Sequence, residues 1–147
     1  TPLAHTDADA VAKVEAMWCA TGALLEQMPV ALHDQVLAAT SHLPHLLAFS
    51  LGDTLLKMPQ REDILRYAAG GFRDFTRIAS SDPIIWRDIC LTNKDAILTM
   101  INAYQHNLSE FAAFIAEQDA PALLARMERA KQARDNYVAQ TQVPPSR

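Results

Sequence analysis

The chain has 147 residues, of which 50% are hydrophobic and 20% are charged, so general disorder is excluded and one domain with a sizeable core is expected. A net charge of −4 argues against a nucleic-acid surface, which needs a basic excess. Two cysteines are too few for a disulfide framework and favour a reducing compartment. With no apolar run long enough to span a bilayer, we expect a cytoplasmic protein without nucleic-acid or membrane partners.

Every long segment repeats its apolar residues with a helical period, and none alternates as a strand does. In chain order, helices are expected over about 7–21 with a stop at Gly22, over the apolar stretch between Pro29 and Pro59, over 61–68 and over 72–81. Further helices are expected after a restart at Asp82-Pro83, after Thr92, and from Pro121 onwards. The tail 140–147 is expected to fray. The sequence therefore predicts a single all-α domain over residues 1–147, with several helices and long central ones.

The helix after Thr92 carries an apolar stripe with heptad-like spacing. Its members are Ile97, Ile101, Tyr104, Leu108, Phe111 and Ile115. Such a stripe is either the core face of an ordinary helix or part of a helical dimer interface. The abundance of long apolar helices in a short chain favours the interface, because such surfaces must be covered.

Polar residues interrupt the apolar helix between Pro29 and Pro59. Pro44 has no N–H, so the Thr40 carbonyl loses its usual partner and the helix should kink there. Ser41 and His45 are four residues apart, and His42 and His45 are three apart, so these side chains share one side of the helix. We interpret them as a polar pocket wall at a bend in an apolar helix.

Three interpretations of these histidines remain open. They are satisfied core residues, or zinc ligands, or contacts for a polar or anionic small molecule. The zinc interpretation is weak because His-x-x-His supplies only two ligands, and no metal site is therefore expected. His33 lies half a helical turn out of phase with His42 and is not expected to point into the same pocket.

A second group of residues lies in "AAGGFRDFTRIASSDPIIWRDI", residues 68–89. The Gly70-Gly71 pair lets the backbone approach closely just before a helix start, where unpaired N–H groups attract anions. Arg77 offers a two-pronged fork for a carboxylate. Alternatively, Arg73, Asp74 and Arg77 form a solvated ion-pair set of little energetic value, and Trp86 is an ordinary core residue.

Together, "HDQVLAATSHLPH" (33–45) and "GGFRDFTRIASSDPIIWRDI" (70–89) resemble the helical C-terminal domain of the prephenate dehydrogenase family. The resemblance is close over about 33–93. It implies part of an oxidoreductase of tyrosine biosynthesis, which converts prephenate to 4-hydroxyphenylpyruvate by NAD- or NADP-dependent oxidative decarboxylation. It also implies an intertwined homodimer.

The resemblance further implies a substrate site. The residues that match it are His42, His45, Arg77, Ser41, Gly70, Asp74 and Trp86, with His33 in a supporting role. Arg77 would pair with a prephenate carboxylate. The catalytic histidine of the family belongs to an N-terminal Rossmann domain, so no catalytic residue is expected in this chain.

The sequence departs from the family in one respect: it has no G-x-G-x-x-G motif and no β-α-β pattern. Thr1 falls near the family's domain junction, so we expect the C-terminal part of a longer enzyme, inactive alone and without a cofactor of its own. Two alternatives stay open: part of an arogenate or cyclohexadienyl dehydrogenase, or a freestanding helical module that binds tyrosine or another aromatic acid. Tyrosine is also a possible effector of the enzyme.

Overall fold

The computed structural model describes residues 1–141 and confirms the all-α fold, since no β-strand occurs among them. The α-helices are α1 (Ala8–Ala20), α2 (Val30–Leu37), α3 (Leu43–Leu56), α4 (Arg61–Arg66), α5 (Gly70–Thr76), α6 (Pro83–Thr92), α7 (Lys94–Ala116) and α8 (Ala120–Thr141). A π-helical segment (Ala38–His42) joins α2 to α3, and a 3₁₀ turn (Arg77–Ser80) follows α5. Most of the tail expected to fray, residues 142–147, lies outside the described part.

The chain divides into two compact units, Thr1–Ile101 and Asn102–Arg147. The boundary falls within α7, so the start of this helix belongs to the first unit and the remainder to the second. The expectation of a single domain over residues 1–147 stays a prediction. The two units are described separately below.

Local capping chemistry explains where several helices begin and end. The Asp7 carboxylate accepts a hydrogen bond from the Ala10 N–H at 2.9 Å and caps α1. The chain leaves α1 through Gly22, whose φ of 85° is the left-handed conformation that glycine adopts without strain. At α6, the Asp82 carboxylate accepts from the Ile84 N–H at 2.8 Å, with Pro83 as the first helical residue. The expected stop and restart are both confirmed.

The long apolar helix between Pro29 and Pro59 is one helical stretch with a π-helical turn in its middle. There the Leu43 N–H donates to the Ala38 carbonyl, five residues back instead of four. The distortion expected at Pro44 takes this form, because a residue without an N–H cannot continue the regular ladder. The buried residues within 1–141 are Ala38, His42, Leu43, Ala48 and Ile97. The π-helical turn therefore lies at the core of the first unit.

Three elements of the first unit surround this core. The 3₁₀ turn and α5 both pack against α3, and α6 packs against the π-helical segment. These contacts bring residues 70–92 against the stretch that carries the two histidines.

Apolar side chains stay exposed in both units. In α1 no residue is buried, and Val14, Met17 and Trp18 are each about half exposed. In the stripe of α7, Ile97 is buried, whereas Leu108 and Ile115 are 50% and 63% exposed. Ile101, Tyr104 and Phe111 are half-buried, so the stripe is partly covered within this chain and the choice between core face and dimer interface stays open. No helix within residues 1–141 has the length and apolarity required to cross a membrane.

Candidate functional site

Two imidazoles and one indole form an aromatic cluster in the first unit. His45, on α3, is stacked on Trp86 of α6, with ring centroids 3.6 Å apart and an angle of 19° between the planes. His42, the last residue of the π-helical segment, meets the same indole edge-on at 6.3 Å and 73°. The structure therefore brings together three of the residues that the sequence singled out.

His45 is held by the backbone one turn earlier. Its Nδ1 lies 2.9 Å from the Ser41 carbonyl oxygen. A carbonyl oxygen only accepts, so Nδ1 carries the hydrogen and donates it. Ser41 thus acts here through its backbone. In a regular α-helix, Pro44 would leave the carbonyl of Thr40 without its usual partner. Here the carbonyl that gains a side-chain partner is that of Ser41, one residue later.

His42 is held by Asn93, which lies between α6 and α7. The Asn93 amide nitrogen donates to the Asp34 carbonyl oxygen at 2.8 Å and lies 3.2 Å from His42 Nδ1. Because an amide nitrogen only donates, His42 Nδ1 is the acceptor and the ring hydrogen lies on Nε2. The pKa of His42 is lowered by burial first, then by the positive form of His33, with His45 acting in the same direction and Asp34 opposing. Burial therefore favours the neutral form of His42.

Both imidazoles keep one nitrogen available. Within residues 1–141, no buried side-chain nitrogen or oxygen lacks a hydrogen-bond partner. His42 Nε2 and His45 Nε2 have no partner in the described part of the chain, so neither atom is completely enclosed.

His33, in α2, pairs with the neighbouring Asp34. Its Nδ1 lies 3.0 Å from an Asp34 carboxylate oxygen, and its charge acts on the pKa of His42. The phase argument assumed a regular α-helix, whereas the π-helical turn between the two histidines changes their angular separation. The expectation that His33 does not point into the same pocket stays a prediction.

The charged residues of the second group, Arg73, Asp74 and Arg77, lie on the elements that pack against α3, and their side chains are exposed. Arg77 begins the 3₁₀ turn, and Asp74 lies in α5. Within residues 1–141, no ion pair joins Arg73, Asp74 and Arg77, so the surface ion-pair interpretation is not realised, and no hydrogen bond links Arg77 to the imidazoles. Their approach to a ligand stays a prediction.

The glycine pair occupies a different position from the one expected. Gly70 is the first residue of α5, so the pair opens the helix and does not precede it. A methyl group added at Gly70 or Gly71 would meet nothing within 4 Å. Any close approach that requires glycine must therefore come from a molecule other than this chain.

Asn93 is the site residue that sequence reasoning missed. It lies 51 residues from His42, so no spacing rule connects them. Its place between two predicted helices is typical of an ordinary capping residue, and only the tertiary contact distinguishes it. No group of three or more His, Cys, Asp or Glu side chains in residues 1–141 is placed to hold a metal ion.

The first unit is therefore an all-α module in which two imidazoles and one indole form an aromatic cluster beside the buried core. Residues 29–129 match the profile of the family described as "Prephenate dehydrogenase, dimerization domain". The chain belongs to this family.

Relatives of known name agree with this assignment. The chain is 40% identical over 136 residues to a cyclohexadienyl dehydrogenase of Zymomonas mobilis, covering 91% of this chain and 46% of the relative. It is 38% identical to a prephenate dehydrogenase of Bacillus subtilis, covering 92% and 37%. The chain spans about half or less of the length of these curated relatives.

Solved structures share the fold. The prephenate dehydrogenase of Aquifex aeolicus, in complex with hydroxyphenyl propionate and NAD⁺, matches with a TM-score of 0.85 at 39% identity, covering 93% of this chain and 48% of that one. The arogenate dehydrogenase of Synechocystis matches with a TM-score of 0.80 at 25% identity, covering 93% and 50%.

Proposed function

We propose that this chain is the dimerisation and substrate-binding part of a prephenate dehydrogenase, which converts prephenate to 4-hydroxyphenylpyruvate by NAD-dependent oxidative decarboxylation. The observation that carries the proposal is the cluster of His42, His45 and Trp86, with both Nε2 atoms free of hydrogen-bond partners within residues 1–141, in a chain of this family. The hydroxyphenyl propionate bound by the Aquifex aeolicus relative is an aromatic acid of the same chemical class as the product.

The chemistry of the substrate suits these side chains. Prephenate is a dicarboxylate with a hydroxylated ring. His42 would donate from Nε2 to a substrate oxygen, and Trp86 supplies a flat apolar wall. Arg77 would pair with a carboxylate in the two-pronged arrangement that guanidinium favours. Ser41, Gly70 and Asp74 would complete the wall of the site, with His33 supporting His42. Holding the substrate in position is the contribution expected of these residues.

The oxidant is expected outside this chain. Residues 1–141 contain no β-strand and therefore no β-α-β unit, the framework on which a dinucleotide site of the Rossmann type is built. NAD, or alternatively NADP, would be bound by the remaining part of a longer protein, which would also supply the catalytic histidine. This chain alone would then have no dehydrogenase activity. A biosynthetic role of this kind is expected in the cytoplasm.

A homodimer explains the exposed apolar faces. Leu108 and Ile115 on α7, and Leu124 and Met127 on α8, are all at least half exposed. Apolar surface of this extent favours association, and the family is named for dimerisation. Sedimentation of this chain at micromolar concentration is expected to show a dimer. A monomer would contradict the proposed interface.

A second substrate stays in consideration because one relative is a cyclohexadienyl dehydrogenase. The test uses the intact protein that contains this chain, with prephenate or arogenate and with NAD⁺ or NADP⁺, followed by the absorbance of the reduced nicotinamide. Turnover of prephenate supports the proposal, and turnover of arogenate alone favours the second candidate. No turnover, together with saturable tyrosine binding, would favour a regulatory aromatic-acid module. Tyrosine added to a working enzyme tests it as an effector.

A further inference from the structure

We propose that Asn93 is a positioning residue for His42: its amide fixes the ring as the tautomer with hydrogen on Nε2, so that His42 offers substrate a neutral donor. This inference rests on the proposed function, because it assigns His42 a substrate oxygen as its partner. It adds a residue that has no place in the motif around the histidines.

The orientation of the Asn93 amide is set by the backbone. The Asp34 carbonyl oxygen, 2.8 Å from the amide nitrogen, can only accept. Turning the amide over would place its oxygen against this carbonyl, so the nitrogen must stay on that side. The second hydrogen of the same nitrogen is then directed at His42 Nδ1, 3.2 Å away. A backbone carbonyl on α2 thus selects the tautomer of His42 through Asn93.

The neighbouring imidazole is fixed with the opposite polarity. His45 donates from Nδ1 to the Ser41 carbonyl, so its Nε2 accepts when the ring is neutral. Around one indole, His42 therefore presents a donor and His45 an acceptor. A ligand with a carboxylate or carbonyl oxygen suits His42, and one with a hydroxyl hydrogen suits His45.

The charges around His42 keep it in this state. Burial and the positive forms of His33 and His45 oppose a second proton, and the Asp34 carboxylate favours one. A proton added at Nδ1 would also remove the acceptor that Asn93 requires. Arg77 would then supply the positive charge that attracts an anionic substrate, and the neutral His42 would orient that substrate through its hydrogen bond.

The test is histidine-selective ¹⁵N NMR of the intact protein, with the His42 signals assigned from a His42→Gln variant. In the unmodified protein at neutral pH we expect the hydrogen on Nε2. In Asn93→Asp, the carboxylate accepts from Nδ1, so the hydrogen should move there and the ring should gain its second proton at higher pH. Asn102→Asp, which adds the same charge at an exposed position of α7, should leave the His42 spectrum unchanged.

Kinetics then connect the tautomer to substrate binding. For Asn93→Asp we expect KM for prephenate to rise about tenfold at neutral pH, a loss typical of a hydrogen bond to a charged group. The pH dependence of KM should follow the protonation of His42, and KM for NAD⁺ should be unchanged. Asn102→Asp should keep the ordinary values.

The outcomes separate this inference from the proposed function. Hydrogen on Nδ1 in the unmodified protein would overturn the inference, even in an active enzyme and even if Asn93→Asp failed to fold. A moved hydrogen with an unchanged KM for prephenate would overturn the positioning role. Absence of turnover by the unmodified protein would overturn the proposed function, whereas the spectrum would still report the tautomer.

Discussion

The imidazole of His45 lies nearly parallel to the indole of Trp86, with ring centroids 3.6 Å apart. The two residues come from α3 and α6, and the contact fixes the direction in which His45 presents Nε2. An aromatic pair of this kind contributes about 0.5–1.5 kcal/mol beyond its buried area.

Replacing Trp86 tests whether this contact orients His45 for substrate. In Trp86→Leu we expect KM for prephenate to rise about 2- to 12-fold, which corresponds to the loss of about 0.5–1.5 kcal/mol of stacking. Trp86→Phe keeps a flat ring and should lose less. Tyr67→Leu, which removes an aromatic ring that is 80% exposed, is the control. Equal effects of Leu at both positions would contradict a specific role for Trp86.

Arg77→Ala tests the proposed carboxylate contact. The side chain is exposed in this chain, so only a bound, desolvated carboxylate would give it a large energetic role. We expect a loss of about 2 kcal/mol, or about 30-fold in KM for prephenate, at the lower end of the range for truncating a charged partner. Arg77→Lys should recover part of it, because lysine keeps the charge without the fork. Arg73→Ala in α5 is the matched control, and unchanged kinetics in Arg77→Ala would remove Arg77 from the site.

Gly70→Ala separates stability from function. The added methyl group meets nothing within 4 Å, so the fold should tolerate it. Gly52→Ala in α3 has equally open surroundings and should raise stability by about 0.5–1 kcal/mol, the usual gain for alanine inside a helix. If substrate or a second subunit approaches the Gly70 backbone, only Gly70→Ala should lose activity at an unchanged melting temperature. Full activity would exclude such an approach.

His42 gives the stability of the fold a defined pH dependence. Burial lowers the pKa of His42 in the folded state from the ordinary 6.5, so just below pH 6.5 the unfolded chain binds more protons than the folded chain does. The free energy of unfolding therefore falls as pH falls through about 6.5. Urea midpoints measured between about pH 8 and about pH 5.5 should show this slope, since ordinary histidines titrate near 6.5. His42→Gln should reduce the slope. His5→Gln, at an exposed histidine, should not.

In the second unit, Arg126 of α8 connects to α7. Its guanidinium donates to a Glu110 carboxylate oxygen at 2.9 Å and to Asn107 Oδ1 at 3.3 Å, and it lies over the Phe114 ring. The hydrogen bond from Arg126 lowers the pKa of Glu110. The contribution of this pair to the stability of the fold is therefore present above the ordinary glutamate pKa of 4.5 and is lost as pH falls below it. Arg126→Leu should lower the thermal midpoint at neutral pH and weaken its acid dependence. Lys131→Leu removes an exposed ion pair with Asp135 and should have little effect on either.

Local patterns were sufficient to predict the helices and several of their ends. The restart at Asp82-Pro83 and the stop at Gly22 depend on capping and backbone preferences that operate within a few residues. The same locality explains the error at the glycine pair. Gly70 was placed before a helix that it actually begins, because no capping side chain marks that start.

By itself, the sequence determined the all-α class, the approximate bounds of most helices and the closeness of His42 to His45, because periodicity, capping and helical spacing depend on neighbouring residues. Only the tertiary structure decided which atoms of those histidines stay available. The stacking of Trp86 on His45 joins residues that are 41 positions apart, and the hydrogen bond of Asn93 to His42 joins residues that are 51 positions apart. No local rule relates such positions, since packing of one helix on another sets them.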